Sequence, residues 1–394
     1  MRICIVNFEP LETAGGAGTS SFSIAKELAK QGQDVYYIVR SLDADITSKE
    51  HDITIIRTCL SFYEKPKIIP LKIYQYCVYP FRDVSKMRKI LTNIQPDVVL
   101  SFNILPAFYV MVNNFGRKNK IPFIISFRHD PLLRRTFLLP QKAKKLWKYH
   151  PVILSASYFT SPSCSLARNI GPYIKRKIDV IPNGIDSTLY YQNYLSNPNK
   201  LHRPIVLCLS RLSPEKRVED AILSMPKLLE QHPHMVLRIV GDGNERDSLE
   251  NLVKELNLSQ SVEFVGHIPH NEVLSYYHSA TVFLLPSNDE GFPNTFLEAI
   301  ACGLPVVTTP VGDLNEVVTN AGNGVIVNHQ SPHEIAEAIS MICSDSKTYA
   351  DFSNKSLELA KKYSWEEVGH EYNAYIVKRF VTQVTENKKS PSKG

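Results

Sequence analysis

The sequence predicts an α/β protein built from two doubly wound domains, each with its own parallel sheet, which face each other across a cleft. The first observation is that short apolar strands alternate with amphipathic helices along almost the whole chain, as in βαβ units. The second is that this alternation stops over the polar, aperiodic residues 187–203, which we interpret as a linker. The length of 394 residues and the hydrophobic content of 43% leave room for two such cores.

The first predicted domain covers residues 1–186. A helix is predicted over Ser21–Gln31, where apolar residues recur at helical spacing before the stop signal Gly32. The candidate strands are Arg2–Asn7, Asp34–Val39, Val98–Phe102, Phe123–Phe127, and Tyr158–Ser161 with Val180–Ile181. Strands that alternate with helices in this way predict a parallel sheet.

The second predicted domain covers residues 204–368 and repeats the alternation. Its candidate strands are Ile205–Ser210, Met235–Val240, Val262–Val265, Val282–Pro286, Pro305–Thr309 and Gly324–Val327. The helices between them include Glu219–Gln231, Glu245–Leu256 and Pro332–Cys343. In doubly wound sheets ligands bind outside the carboxyl ends of the strands, so a site is expected in the loops at that edge. The polar residues 387–394 at the end of the chain are expected to be disordered.

Basic residues are concentrated in the first half of the chain, although the whole chain has a net charge of only +6. Residues 1–190 contain 27 Lys and Arg against 14 Asp and Glu, whereas the remainder contains 18 against 25. This asymmetry predicts that the first half faces an anionic partner, either nucleic acid or membrane lipid. No recognised nucleic-acid-binding motif accompanies the charge, so we expect no nucleic-acid partner.

The cysteine pattern indicates a reducing compartment. The seven cysteines include no Cys-x-x-Cys pair and several lie in apolar runs, which predicts buried free thiols rather than disulfides or metal sites. No secretory leader is visible, and the longest apolar stretch, Val98 to Val112, is too short to span a bilayer. We therefore expect a cytoplasmic protein that could associate with the inner face of the membrane.

The most informative stretch has two glutamates that bracket a Gly/Pro turn. It reads Glu290-Gly291-Phe292-Pro293-Asn294-Thr295-Phe296-Leu297-Glu298 and follows a predicted strand. A strand that enters a helix through a Gly-containing loop presents free backbone N–H groups, which bind anions. The carboxylates would instead bind hydroxyl groups, so a ligand with phosphates and hydroxyls, such as a nucleotide sugar, fits. The same residues also fit a capping box, in which Thr295 caps the helix and Glu298 returns to its N–H.

Other loops at strand carboxyl ends carry residues that a ligand would need. The glycines around Gly16, in Gly15-Gly16-Ala17-Gly18, would let a ligand approach the backbone, although a plain flexible turn also fits. His129 could position or polarise a substrate, or be an ordinary loop histidine. Arg211 and Lys216 flank a strand-to-helix loop as a diphosphate clamp would, the alternative being a solvated basic loop.

Two further loops, at Gly241 and at Gly266 with His267, repeat the pattern of a strand followed by glycine. Loops of this kind let a flat base lie against the backbone. The dipeptide Asn183-Gly184, at the end of the first domain, is a strong turn signal, and we interpret it as structural.

Taken in order, these motifs resemble the retaining family-4 glycosyltransferases of the GT-B fold. The resemblance is carried by Gly15-Gly16-Ala17-Gly18, Ile181-Pro182-Asn183-Gly184-Ile185-Asp186, Arg211 with Lys216, Val240-Gly241-Asp242-Gly243, and Glu290 with Glu298. It covers nearly the whole chain, through Tyr363-Ser364-Trp365-Glu366-Glu367. The loop around His129 is more similar to relatives that build bacterial polysaccharides and lipid-linked oligosaccharides than to sucrose- or starch-type enzymes.

The resemblance implies a role for each matching position. Arg211 and Lys216 would hold the donor diphosphate, Glu290 would contact hydroxyls of the donor sugar, and Glu298 would accept hydrogen bonds from the ribose. The residues implied to line the donor site further are Gly16, Gly241, Gly266, His267, Gly291, Phe292, Pro293, Asn294 and Thr295. His129 would lie beside the donor sugar, and the last helix, about 369–386, would pack back on the first domain.

The implied reaction needs positive charge where the diphosphate leaves. Fixed cations and a helix N-terminus would stabilise the negative charge of the leaving diphosphate without reorganising, and no convincing Asp-x-Asp metal site is present, since Asp43-Ala44-Asp45 lies in a polar loop. We therefore expect metal-independent transfer with retention, no cofactor, and a UDP- or GDP-linked sugar as donor. With no assignable carboxylate nucleophile, the leaving diphosphate itself could take the proton of the acceptor.

The acceptor is the least specified partner. Residues 132–148 mix cations such as Arg134 and Lys144 with Leu, Phe and Trp, which suits an anionic membrane surface and a lipid-linked acceptor. The same residues are equally consistent with a helix that packs one apolar face into the core and exposes a basic face to solvent. Two rival functions also remain open: a nucleotide-sugar epimerase or hydrolase of the same fold, and a non-catalytic sugar-nucleotide-binding protein.

Overall fold

The computed structural model describes residues 1–9, 16–41, 44–60, 79–116, 120–128, 151–186, 189–190, 198–269 and 272–389. They divide into two compact units, one from Met1–Pro182 with Val368–Gly394 and the other from Asn183–Glu367. Each unit contains a mainly parallel sheet whose strands alternate with helices. The sheets confirm the predicted fold class.

The first unit holds an eight-stranded sheet in the order β3-β4-β2-β1-β5-β6-β7-β8. Its strands are β1 Arg2–Asn7, β2 Asp34–Ser41, β3 Ile46–Glu50, β4 Ile53–Cys59, β5 Val98–Phe102, β6 Phe123–Ser126, β7 Tyr158–Ser161 and β8 Asp179–Val180. Its helices before β8 are α1 Gly16–Lys30, α2 Tyr79–Ile94, α3 Ile104–Asn114 and α4 Cys164–Ile174. The apolar stretch from Val98 to Val112 is thus a buried strand followed by a helix.

Two of these strands, β3 and β4, were missing from the sequence prediction. They form a hairpin whose turn, His51-Asp52, has φ values of 50° and 61°. Such positive φ values suit a two-residue hairpin turn, but the pair lacks the Asn-Gly or Asp-Gly signature that would reveal one. The edge strand β3 is mostly exposed and carries a single apolar residue, so it shows no alternation.

The second unit holds a six-stranded parallel sheet in the order β11-β10-β9-β12-β13-β14. Its strands are β9 Ile205–Leu209, β10 Val236–Val240, β11 Val262–Gly266, β12 Val282–Leu285, β13 Val306–Thr308 and β14 Gly324–Ile326. Its helices are α5 Val218–Gln231, α6 Arg246–Glu255, α7 Val273–Ser279, α8 Asn294–Ala301, α9 Leu314–Ala321, α10 Pro332–Ser344 and α11 Ser346–Lys362.

The central strands of this second sheet are covered on both faces. Val282 and Leu284 of β12 belong to one hydrophobic cluster, whereas the alternate residues Phe283 and Leu285 belong to another. Successive side chains of a strand point to opposite faces, so both faces of β12 are packed. This explains why the strand is a continuous apolar run that is easy to recognise in the sequence.

The strand order reverses at one place in each sheet. In the first sheet β1 lies between β2 and β5, and in the second β9 lies between β10 and β12. At such a switch point the loops at the carboxyl ends diverge and leave a crevice for a ligand. The second switch point brings the loop after β9 beside the loop after β12.

The first unit ends at Pro182, whereas the predicted first domain extended to residue 186. Ile185 pairs with Ser364, and the Ile185 N–H donates to the carbonyl of Tyr363 at 2.8 Å while the Trp365 N–H donates to Ile185 at 3.1 Å. Because these bonds join residues 183–186 to the end of the second unit, they group with it rather than with the first domain. The predicted linker 187–203 includes a short 3₁₀ turn, Pro198–Leu201.

The last helix, α12, spans Trp365–Lys389 and passes from the second unit into the first. It is longer than the predicted segment 369–386, and of the predicted disordered tail, residues 390–394 lie outside the described residues. In the first unit, Arg379 donates to the Asp179 carboxylate at 2.8 Å and stacks on the ring of Tyr375. In the part of the chain that the structure describes, no helix is long and apolar enough to cross a bilayer.

The attachment of α12 to the first unit can be tested at Arg379. Burial alone would raise the pKa of Asp179, but Lys177 and Arg379 together hold that pKa below its usual value. We expect Arg379→Met to lower the free energy of unfolding by about 1–2 kcal/mol, through the lost ion pair and cation–π contact. Urea denaturation at pH 7 measures this change in the free energy of unfolding.

Lys177→Met is the matched control, since Lys177 also contacts Asp179, at 2.9 Å, but its side chain is 82% exposed. We expect Lys177→Met to lower the free energy of unfolding by less than about 0.5 kcal/mol. The low folded-state pKa of Asp179 stabilises the protein above the unfolded pKa, and this stabilisation is lost as pH falls through the folded pKa. The difference in the free energy of unfolding between wild type and Arg379→Met should therefore become smaller in acid. Equal losses from the two variants would contradict this account.

Candidate functional site

The candidate site lies at the carboxyl edge of the second sheet. Arg211 follows β9, Gly241 follows β10, Gly266 ends β11, Glu290 lies in the loop after β12, and Gly312 lies in the loop after β13. Parallel strands end at the same edge of a sheet, so residues far apart in sequence share one surface. All but Gly312 were predicted from the sequence as site residues.

The centre of this edge is an ion pair between Lys216 and Glu290. Lys216 Nζ lies 2.6 Å from Glu290 Oε1, and the two side chains are only 14% and 11% exposed. Ser287 Oγ, just after β12, donates to the same carboxylate oxygen at 3.0 Å. Glu290 is therefore a paired, nearly buried carboxylate rather than a solvated loop charge.

The loop after β9 brings Lys216 to this position. A 3₁₀ turn, Pro214–Lys216, is followed by Arg217 in the left-handed region with φ of 52°, and α5 begins at the next residue. Arg217 is held by a bidentate pair with the buried Asp220 in the first turn of α5, with N–O distances of 3.0 and 2.7 Å. The Asn288 N–H donates to the carbonyl of Glu215 at 2.8 Å, which joins this loop to the loop after β12.

Arg211 is the accessible cation of the edge. Its side chain is 80% exposed, and its guanidinium lies 3.9 Å from the Glu215 carboxylate. Burial alone would raise the pKa of Glu215, but a hydrogen bond from Ser213 and the charges of Lys216 and Arg211 lower it overall. Lys216 and Arg211 thus each lie beside a carboxylate, Glu290 and Glu215 respectively.

The helix that follows Glu290, α8, begins without a side-chain cap. Its N-cap is Pro293 in an extended conformation, and no side chain accepts from its first N–H groups. The capping-box interpretation is wrong, because Thr295 lies inside the helix and Glu298 accepts instead from the Tyr277 hydroxyl, at 2.7 Å. The N-terminus of α8 therefore keeps backbone donors available.

Glycines let the loops of this edge pack against one another. A Cβ on Gly241, where φ is +131°, would lie 1.9 Å from the Ser210 carbonyl oxygen. A Cβ on Gly312, where φ is +55°, would lie 2.3 Å from the Gly291 oxygen and 2.8 Å from the Glu290 oxygen. Gly312 thus supports the backbone that carries Glu290. Gly312 lies four residues beyond the end of β13 at Thr308, so it lacks the signal of a glycine directly at a strand end that identified Gly241 and Gly266.

Two polar residues of the site were not recognised from sequence. Asn183 was assigned to a structural turn, yet its side-chain amide donates to Asn294 Oδ1 at 3.1 Å and lies 3.4 Å from the Phe292 carbonyl. Ser287 had no signal beyond its place after a strand. Both hold the 287–294 segment in position.

Gly241 and Gly266 lie side by side, since the Gly241 N–H donates to the Gly266 carbonyl at 2.8 Å. His267 follows Gly266 and is exposed. The two loops that were predicted to receive a flat base are therefore in contact. Glu298, by contrast, is only 6% exposed and is hydrogen-bonded within the unit.

The predicted residues of the first unit are only partly described. Gly16 is the first residue of α1, whereas His129 lies outside the described residues, as does the basic segment 132–148. The N-terminal turn of α1 already has an acceptor from the chain, because the Gly18 N–H donates to the Glu9 carboxylate at 2.9 Å. This differs from α8.

Within the described ranges, no group of three or more His, Cys, Asp or Glu side chains is arranged to hold a metal ion. The six described cysteines are free thiols, of which Cys4, Cys208, Cys302 and Cys343 are buried, Cys59 is half-buried and Cys164 is exposed. Burial raises the pKa of the Cys208 thiol to about 12, so this thiol stays protonated at neutral pH.

Both units of this chain are similar to known proteins. Models of glycosyltransferase family 4 and of glycosyl transferases group 1 match residues 14–189 and 195–358. An uncharacterized glycosyltransferase of Methanocaldococcus jannaschii is 26% identical over 398 residues, covering 96% of this chain and 98% of that protein.

Solved structures are also similar to this chain over nearly its whole length. Sucrose-phosphate synthase from Thermosynechococcus elongatus has a TM-score of 0.77 at 21% identity and covers 97% of this chain and 99% of its own. Anabaena HepE in complex with UDP has a TM-score of 0.72 at 18% identity, with coverages of 96% and 100%. The match to both family models and the shared two-sheet fold lead to one conclusion: the chain belongs to the glycosyltransferases of the GT-B fold, with a family 4 domain followed by a group 1 domain.

Proposed function

We propose that the protein transfers a sugar from a nucleoside diphosphate to a saccharide or lipid-linked acceptor, with retention of anomeric configuration and without a metal ion. The observation that carries the proposal is the Lys216–Glu290 pair at the switch point of the second sheet. It places a phosphate-binding cation and a hydroxyl-binding carboxylate side by side, as a nucleotide sugar requires.

Donor binding, on this proposal, is an exchange of partners. In the structure Lys216 pairs with Glu290, and Arg211 lies near Glu215. An arriving diphosphate adds negative charge to a balanced cluster, so Lys216 turns to the phosphate oxygens and Glu290 accepts hydroxyls of the sugar instead. Both charges keep a partner throughout, which avoids the cost of a lone charge at a nearly buried position.

The chemistry then needs few further groups. The bond between the anomeric carbon and the diphosphate oxygen breaks, and the acceptor oxygen bonds to that carbon on the face the diphosphate leaves. The acceptor proton passes to the departing diphosphate oxygen, so atoms and charge balance. Lys216, Arg211 and the N–H groups at the start of α8 stabilise the leaving group, because fixed charges and dipoles need no reorganisation.

The contrast between the two helix N-termini supports a phosphate site in the second unit. The start of α8 has no side-chain cap, whereas the start of α1 is bonded to the Glu9 carboxylate. A diphosphate at α1 would have to displace Glu9 from the helix N-terminus, whereas no side-chain cap has to be displaced at the start of α8. The predicted contact of Gly16 with the diphosphate therefore requires Glu9 to turn away.

A UDP- or GDP-linked sugar is the donor we propose. The adjoining loops at Gly241 and Gly266 offer backbone against which a base can lie, and HepE, of similar fold, has been solved with UDP and with UDP-glucose. The lipid-linked acceptor at a membrane surface is proposed from the sequence of residues 132–148 and from the resemblance of the loop around His129, and the cytoplasmic side is proposed from the cysteine pattern. A role in polysaccharide or glycolipid synthesis is part of the same proposal.

The transfer reaction can be tested at Arg211. We expect Arg211→Met to lower kcat/KM by about 100-fold, because one charge that stabilises the leaving diphosphate is lost. The assay measures nucleoside diphosphate released from a panel of UDP- and GDP-sugars, with and without saccharide and lipid-linked acceptors. Arg203→Met is the control, since Arg203 is also exposed but precedes β9 at the opposite edge of the sheet.

Release that depends on the acceptor supports the transferase. Release at the same rate without any acceptor would indicate a hydrolase, and binding without release would indicate a non-catalytic binding protein. Conversion of the donor sugar to its epimer would indicate an epimerase. An equal effect of Arg203→Met and Arg211→Met would contradict the placing of the leaving group.

The position of Glu290 can be tested through Gly312. We expect Gly312→Ala to lower transfer at least about tenfold, because the new Cβ has to displace the backbone at Glu290 and Gly291 and a small misplacement is costly in catalysis. Gly322→Ala is the matched control: its φ is +63°, but the nearest atom is the flexible end of Lys355 at 3.5 Å. It should cost about 1 kcal/mol of stability and leave transfer unchanged. Similar activities of the two variants would contradict a supporting role for Gly312.

A further inference from the structure

Two buried phenols lie beside the Glu298 carboxylate inside the second unit. Tyr277 of α7 donates to Glu298 Oε2 at 2.7 Å, and the Tyr190 hydroxyl is near enough to the same carboxylate to interact with its charge. All three side chains are nearly or fully buried, at 6%, 0% and 4% exposure for Glu298, Tyr277 and Tyr190. A carboxylate in such a place requires donors, because burying it without them is costly.

The two tyrosines reach Glu298 from different parts of the unit. Tyr277 lies on α7, just before β12, and Tyr190 lies in the segment that follows the chain's entry into the unit. Their rings make an edge contact with centroids 6.4 Å apart, and the Tyr190 carbonyl lies 3.1 Å from the His278 ring nitrogen. The hydroxyls are thus fixed by packing of their own rings rather than by Glu298.

Burial and the neighbouring Glu298 charge raise the pKa of both phenols far above the usual value. Both therefore remain protonated and act as donors over the physiological pH range. The Tyr277 hydroxyl has a second acceptor, the Thr295 carbonyl at 3.3 Å, but the carboxylate is closer and charged. Its single proton thus goes to Glu298.

An ionised carboxylate has roughly four acceptor positions, so a carboxylate that accepts from a fixed donor can also accept from a ligand. Glu298 lies one helical turn beyond the uncapped start of α8, on the helix that the Glu290 loop enters. A long glutamate side chain has several rotamers, and a bond from a fixed donor favours one of them. A carboxylate fixed in this way binds hydroxyls without a further entropy cost.

We propose that Tyr277 and Tyr190 are positioning residues, which orient the Glu298 carboxylate toward the ribose hydroxyls of the nucleotide donor. The inference rests on the proposed function, since it requires a nucleotide at the carboxyl edge of the second sheet. It adds to that function a support made of residues that do not touch the ligand. Tyr277, whose hydroxyl lies 2.7 Å from Glu298 Oε2, is the principal one.

The test is calorimetric titration with nucleoside diphosphates in the absence of sugar and acceptor. UDP, GDP and ADP are compared on the wild type, and the tightest is then compared with its 2′,3′-dideoxy analogue. We expect the wild type to bind the ribonucleotide about tenfold more tightly than the analogue, as the loss of hydrogen bonds to a charged group implies. Glu298→Gln should reduce this ratio.

Tyr277→Phe should weaken binding of the ribonucleotide by up to about tenfold and leave binding of the dideoxy analogue unchanged. Tyr190→Phe should act in the same direction and less strongly. Tyr276→Phe is the control, because Tyr276 is the adjacent, half-buried tyrosine of the same helix and should change neither affinity. The thermal midpoint of each variant shows whether it folds, and Tyr190→Phe provides the test if Tyr277→Phe does not.

Each other result has a distinct meaning. If Tyr277→Phe and Tyr190→Phe weaken binding of the ribonucleotide and of the analogue equally, the tyrosines only support the fold and the inference is wrong. If the wild type binds both nucleotides equally, Glu298 holds no ribose and the inference is again wrong, although the proposed function stands. If the wild type binds none of the three nucleoside diphosphates, the proposed function itself fails.

Discussion

The structure of the carboxyl edge depends on the ion pair between Lys216 and Glu290. Each partner lies in a loop that follows a central strand of the second sheet, and the reversal of strand order at β9 brings those loops together. Neither charge could remain at its low exposure without the other, since an unpaired buried charge is strongly destabilising. The surrounding features follow from this pair: Ser287 donates to the carboxylate, Gly312 allows the backbone of Glu290 its position, and Asn288 joins the two loops.

The same pair explains how one small surface can serve a ligand with two kinds of oxygen. Phosphates need cations and backbone N–H groups, whereas sugar hydroxyls need acceptors. At this edge Lys216 and Arg211 each lie beside a carboxylate, so both kinds of group are present together. The start of α8 has no side-chain cap, and on our proposal the Glu298 carboxylate, to which Tyr277 donates, is a second acceptor.

Sequence patterns predicted the parts of the molecule that depend on local periodicity. Central strands such as β1, β5 and β12 are continuous apolar runs because both their faces are packed, and their limits were predicted to within a residue. The hairpin of β3 and β4 was missed because its exposed edge and its His51-Asp52 turn have no strong local signal. In the site, Lys216 and Glu290 were predicted individually, but their contact, the role of Asn183 and the phenols around Glu298 depend on tertiary packing between distant segments. No spacing rule contains that information.

The central claim is that donor phosphate replaces Glu290 as the partner of Lys216, and binding to Glu290→Gln measures it most directly. Nucleoside diphosphate and the matching nucleotide sugar are titrated into the wild type, Lys216→Met and Glu290→Gln. Loss of the competing carboxylate should leave the affinity for the diphosphate unchanged or increase it, while the affinity for the nucleotide sugar falls. Lys216→Met should weaken binding of both ligands. Equally weakened binding of both ligands to Glu290→Gln, or unchanged binding to Lys216→Met, would contradict the exchange of partners at Lys216.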